Sequence, residues 1–79
     1  MTVTVLFLGP ARQWSGVEST ALELASGSSV AELRAKLMAS APAVQNPSVR
    51  FAVNENFVSD SQQLREGDLV AIIPPVSGG

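Results

Sequence analysis

The stretch Leu69-Val70-Ala71-Ile72-Ile73-Pro74-Pro75-Val76-Ser77-Gly78-Gly79 decides the fold. Its first five residues are an unbroken apolar run, too short for a helix, and they fit a central strand. Pro74 and Pro75 end that strand, because proline has no N–H to give to a sheet ladder. The four residues beyond them reach at most about 14 Å. A central strand needs neighbours on both sides, and the rest of the chain must supply them.

Immediately upstream, Glu66-Gly67-Asp68 reads as a turn and Ser59 to Arg65 as a polar loop or a single helical turn. Val49-Arg50-Phe51-Ala52-Val53 alternates as a half-buried strand does. Asn54-Glu55-Asn56 is a tight turn, and Phe57-Val58 starts a short return strand. Further back, Ser29 followed three residues later by Glu32 matches a capping box, in which each side chain satisfies a free N–H of the first helical turn. Val30, Leu33, Leu37 and Met38 then share one face of an amphipathic helix, with Glu32, Arg34 and Lys36 turned outward. Pro42 ends the helix near Ser40 by pushing the residue before it out of the α region.

The N-terminal segment Thr2 to Leu8 sets Val3, Val5 and Phe7 against Thr2 and Thr4, a strand with one face in the core, while Leu6 and Leu8 break the alternation. Gly9-Pro10 stops it. Ala11 to Gly16 reads as a loop in which Trp14 is a local hydrophobic plug, and Thr20 to Leu24 as a second, shorter strand. Strand, strand, helix and three strands predict an α+β fold: a mixed sheet with one main helix packed across one face. Val3, Val5, Phe7, Val70 and Ile72 should face Val30, Leu33 and Leu37, with the first and last strands parallel. Residues 1–75 form the domain on this reading, and residues 76–79 a flexible tail.

Seventy-nine residues allow one small domain, and 46% hydrophobic content lies in the globular range. Five Lys and Arg against seven Asp and Glu give a net charge of −2. The basic residues Arg12, Arg34, Lys36, Arg50 and Arg65 are scattered, so no phosphate-tracking footprint forms and nucleic acid is not an expected partner. The chain has no Cys and no His. That excludes thiol nucleophiles, disulfides, imidazole bases and nearly all transition-metal sites, and a metal centre is not expected. No paired carboxylates stand in a hydrolytic pattern, so a self-contained enzyme is not expected either. No apolar run approaches the roughly 20 residues of a membrane span, and the N-terminus lacks a basic leader. A soluble cytoplasmic protein, away from membranes, is the expectation.

Two features point to binding. A single helix covers one face of the sheet, so Leu6, Leu8, Phe57 and Ile73 should emerge on the other; contiguous, they would mark an interaction surface, whereas scattered single apolar residues are ordinary. A strand followed by two prolines and Val76-Ser77-Gly78-Gly79 projects a carboxylate that no side chain shields. Asp60, Glu66 and Asp68 read as turn residues.

The chain resembles the sulfur-carrier (small) subunit family of molybdopterin synthase, ubiquitin-like β-grasp proteins with a C-terminal Gly-Gly. The resemblance is carried by Val5-Leu6-Phe7 with Ala11-Arg12 and Gly16, by Leu33-Arg34-Ala35-Lys36-Leu37, and by Ala52-Val53-Asn54 with Phe57-Val58. Leu64, Gly67-Asp68 and, most specifically, Ile73-Pro74-Pro75-Val76-Ser77-Gly78-Gly79 complete it. It implies a carrier with no catalytic side chain of its own and no stably bound cofactor. A ubiquitin-activating-type enzyme would use ATP to adenylate the Gly79 carboxylate, and a sulfur donor protein would convert it to a thiocarboxylate. The large catalytic subunit of molybdopterin synthase, in an expected heterotetramer, would then pass that sulfur to a pterin precursor to build the dithiolene. The resemblance places Arg12 near the partner surface and Val76, Ser77, Gly78 and Gly79 in the inserted tail; Phe57 and Ile73, on the uncovered face, and Pro74 and Pro75, ahead of the tail, are expected to join that surface. Alternatives that share the fold and the Gly-Gly end are a carrier for thiamine, cysteine or tRNA thiolation and a ubiquitin-like modifier. Ser77 weakens the modifier reading, because ubiquitin-type tails carry Arg before Gly-Gly.

Overall fold

A computed structural model describes residues 1–75; the tail residues Val76, Ser77, Gly78 and Gly79 lie outside the described residues. The elements run β1 (Thr2–Phe7), α1 (Arg12–Ser15), β2 (Ser19–Glu23), α2 (Val30–Leu37), β3 (Arg50–Val53), β4 (Asn56–Val58) and β5 (Leu69–Ile73). The sheet order is β2-β1-β5-β3-β4. Strand β5 lies at the centre, parallel to β1 and antiparallel to β3, so the sheet is mixed, as a β-grasp requires. No helix among the described residues is long and apolar enough to cross a membrane.

The register follows the alternation read from the sequence. Val5 pairs with Val70 and Phe7 with Ile72 across the parallel ladder, and all four are buried together with Val3. They join Val30, Leu33 and Leu37 of α2 in one core, so the period of two in the strands meets the helical period on a common face. The capping box is present: Ser29 Oγ accepts from the Glu32 N–H, and Glu32 Oε1 accepts from the Ser29 N–H. Two further free donors of the first turn, the N–H groups of Val30 and Ala31, donate to the carbonyls of Gln62 and Asp60 at 2.9 Å. The segment from Ser59 to Arg65 is therefore a loop whose backbone caps α2, and it buries Leu64.

Two local readings change, and the link from α2 to β3 gains a turn of its own. The expected loop from Ala11 to Gly16 contains a 3₁₀ turn, Gly9–Ala11, running into the one-turn helix α1. Pro10, second in that turn, presets a helical φ, and Gly16, at φ 79°, ends the helix with its N–H on the Arg12 carbonyl. The link from α2 to β3 holds a 3₁₀ turn, Pro42–Gln45, that buries Val44 between Ala41 and Val49. Arg34 does not point outward: its guanidinium donates to the Val44 carbonyl at 2.6 Å, the Val49 carbonyl at 3.3 Å and Asp60 Oδ1 at 3.0 Å. It also lies 4.6 Å from the centroid of the Phe51 ring. Periodicity fixes where a Cα sits, but the long stem of an arginine carries its head sideways into neighbouring segments.

Arg34 thus ties α2 to the 3₁₀ turn, to the start of β3 and to the capping loop. Arg34→Ala strands two carbonyls and Asp60, and is expected to lower stability by about 2 kcal/mol. Arg34→Lys, which keeps the charge but loses the fork, should recover part of that loss. Urea midpoints at constant slope measure both, and a loss below about 0.5 kcal/mol for Arg34→Ala contradicts the role.

Candidate functional site

The face of the sheet opposite α2 carries the other half of each alternation. Along β5 these residues are Leu69, Ala71 and Ile73; β1 adds Leu6, β3 adds Ala52 and β4 adds Phe57. Register brings the small residues together: Ala52 stands opposite Ala71, Leu6 flanks Ala71 on one side, and Phe57 flanks Ala52 on the other. Two adjacent alanines make a low floor, and the larger side chains around them make walls. The result is an apolar groove of about 360 Å³ lined by Leu6, Leu8, Ala52, Glu55, Phe57, Leu69, Ala71 and Ile73.

Phe57 is 56% exposed and Leu8 42%, large fractions for side chains with nothing polar to offer water. The Arg50 guanidinium lies 3.9 Å from the Phe57 ring centroid, which holds the ring at the rim by a cation–π contact. Arg50 is the register partner of Ile73, so this end of the groove is the end at which β5 finishes. Pro74 is half-buried and Pro75 exposed directly beyond it. The groove and the exit of the chain toward residue 76 are therefore continuous.

Of the residues singled out in the sequence, the structure brings Leu6, Leu8, Phe57 and Ile73 onto one groove, with Pro74 and Pro75 at its end. It leaves Arg12 off the groove lining, on α1, where its guanidinium stands 3.7 Å from Glu18 and both side chains are mostly exposed. Sequence reasoning missed Ala52, Glu55, Leu69 and Ala71. The period of two carried a signal for Leu69 and Ala71, since they alternate with the buried Val70 and Ile72.

A second, polar hollow of about 310 Å³ lies beside the β3–β4 hairpin, lined by Asn54, Gln62, Arg65 and Asp68 among others. Much of its polar wall serves the fold. Asn54 Nδ2 donates to Asp68 Oδ1, Asn54 Oδ1 accepts from the Leu69 N–H, and Asp68 Oδ2 accepts from the Arg65 N–H. Glu66 likewise accepts from the Thr2 N–H. Asp68 and Glu66 are turn-holding carboxylates as read from the sequence, whereas Asp60 additionally pairs with Arg34. Among the described residues no group of three or more His, Cys, Asp or Glu could hold a metal ion. What the surface can do is bind an apolar partner beside the end of β5.

The chain is 37% identical over 83 aligned residues to the molybdopterin synthase sulfur carrier subunit of Chlamydomonas reinhardtii, with the whole of both chains covered. Among solved structures it is similar to the putative molybdopterin converting factor subunit 1 from Pyrococcus furiosus, at a TM-score of 0.86 and 28% identity over 96% of this chain and 99% of that one. It is also similar to a chain of the protein–protein complex of subunits 1 and 2 of the molybdopterin-converting factor from Helicobacter pylori 26695. That likeness has a TM-score of 0.72 and 27% identity over the whole of both chains. The family model described as the ThiS family matches residues 5–79, from the first strand through the glycine pair, and on that match the chain belongs to the ThiS family.

Proposed function

We propose that this chain is the sulfur-carrier subunit of a molybdopterin synthase, a non-catalytic partner whose reacting group is the carboxylate of Gly79. The observation that carries the reading is the continuity of the apolar groove with the end of β5, in a chain alike over its full length to sulfur carrier subunits. A large catalytic subunit docks on the groove, with Phe57, Ile73, Pro74 and Pro75 at the contact and Arg12 at its margin. Residues 76–79 enter that subunit's active site. The complex from Helicobacter pylori pairs two subunits of this kind of assembly, and a heterotetramer is the expected stoichiometry.

The chemistry follows from what the chain lacks. With no Cys in the sequence, sulfur has to be carried on a carbonyl carbon. The terminal carboxylate, ionised at neutral pH, attacks the α-phosphate of ATP on a separate adenylating enzyme, forming an acyl adenylate and releasing pyrophosphate. Sulfide-level sulfur supplied by a donor protein attacks the acyl carbon, the bond from that carbon to the AMP oxygen breaks, AMP leaves, and the end becomes a thiocarboxylate. Glycine at positions 78 and 79 offers no side chain to obstruct either approach. ATP belongs to the activating partner, and the carrier holds no cofactor of its own.

Intact mass of the chain isolated from its native cell tests this directly. A fraction heavier by the replacement of one oxygen with sulfur, mapped to Gly79, is expected. A uniformly unmodified terminus in cells actively making the cofactor contradicts the carrier reading.

A further inference from the structure

Two charges frame the apolar groove, and neither has a salt-bridge partner among the described residues, where the ion pairs join Arg12 to Glu18 and Arg34 to Asp60. Arg50 stands at the tail end, opposite Ile73 and stacked on Phe57. Glu55 lines the other end, in the two-residue turn between β3 and β4, where the Asn54 N–H donates to the Leu69 carbonyl. Both turn residues are left-handed, Asn54 at φ 49° and Glu55 at φ 73°. Hairpin turns of this kind favour Asn at the first position and Gly at the second, because a Cβ at the second crowds the backbone. Asn54 obeys the preference and Glu55 does not. A strained backbone on the wall of a groove directs attention to what its side chain does there.

We infer that Glu55 is a specificity-determining contact for the large catalytic subunit: its carboxylate receives a lysine or arginine of that partner at the hairpin end, while Arg50 meets a carboxylate at the tail end. The inference rests on the function proposed above and adds the direction of docking. Apolar burial is non-directional, so a groove of leucine, alanine and phenylalanine does not by itself distinguish a partner from the same partner turned end for end. Only one of the two directions lets the tail reach an active site, because the chain leaves at the Ile73 end alone. Opposite charges at the two ends penalise the reversed encounter by like-charge contact and favour the productive one.

The test is the affinity and association rate of the full chain for the large subunit at low and high salt, with Glu55→Gly, Glu55→Lys and Arg50→Glu beside the unchanged protein. Glu55→Gly relieves the turn, so its melting temperature should rise while binding at low salt weakens about threefold. Glu55→Lys and Arg50→Glu should each weaken binding about tenfold, chiefly in the association rate, and all three differences should shrink as salt rises. A purely structural role for Glu55 would move binding and stability in the same direction. Unchanged binding that stays tight in both Glu55 variants overturns the inference and leaves the carrier function standing. Losses that do not respond to salt also overturn it. Failure of the unchanged chain to bind the large subunit, or self-association through the groove in its place, overturns the inference and the proposed function together.

Discussion

Deleting Gly79 should leave the melting temperature within about 2 °C of the unchanged chain and reduce ATP-dependent thiocarboxylation at least about a hundredfold. The first half follows from the core. Among the described residues the core runs from Val3 to Ile72 and β5 ends at Ile73, ahead of the two prolines. The second half follows from reach. Adenylation needs the carboxylate about 3 to 3.5 Å from the α-phosphate, and losing one residue withdraws it by up to about 3.5 Å. Gly78→Val examines clearance at constant length, because a β-branched side chain widens the chain end and restricts its φ and ψ. A residue added after Gly79 puts a foreign carboxylate where the glycine one belonged. Both should lose sulfur loading while remaining folded. Loading of the deletion and the extension at the unchanged rate would mean that the reactive group lies elsewhere.

Phe57→Ala should weaken binding to the large subunit about thirtyfold, with little cost to stability. A central aromatic anchor that becomes desolvated in a complex costs about 2 kcal/mol or more when truncated. In the free chain Phe57 is more than half exposed on a three-residue strand, so its ring contributes little to the core. Ile73→Ala should act in the same direction. Ala71→Glu probes the floor instead: a carboxylate between Leu6 and Ala52 fills the groove and must be desolvated on docking. Affinity unchanged in both Phe57→Ala and Ile73→Ala would remove this face from the interface.

The elements that repeat locally were legible in the residues. The capping box at Ser29 and Glu32, the β-branched alternation of β1 and the apolar run of β5 each identify their element within a few positions, and the helix-facing set then follows from the period of two. What escaped is non-local. Burial of Val44 depends on a 3₁₀ turn folded back under α2, and the Arg34 bonds reach 10, 15 and 26 residues along the chain. No spacing rule encodes such reach. Within the site the pattern repeats. Phe57, Leu6, Leu8 and Ile73 stand out as apolar residues on the uncovered face, whereas Ala52 and Ala71 are silent until register sets them side by side as a floor. The strain at Glu55 is likewise a property of the turn geometry, invisible in a sequence that shows only Asn-Glu.

The central claim is that sulfur leaves this chain for a pterin precursor, and a single-turnover reaction tests it most directly. The chain bearing a Gly79 thiocarboxylate is mixed with the large subunit and the pterin precursor in the absence of ATP, and dithiolene product is measured against carrier consumed. The account predicts product in proportion to the thiocarboxylate supplied, with every spent carrier returned to the plain carboxylate, and none from the carboxylate form. Thiocarboxylate that persists beside the large subunit and precursor while no dithiolene forms would contradict it.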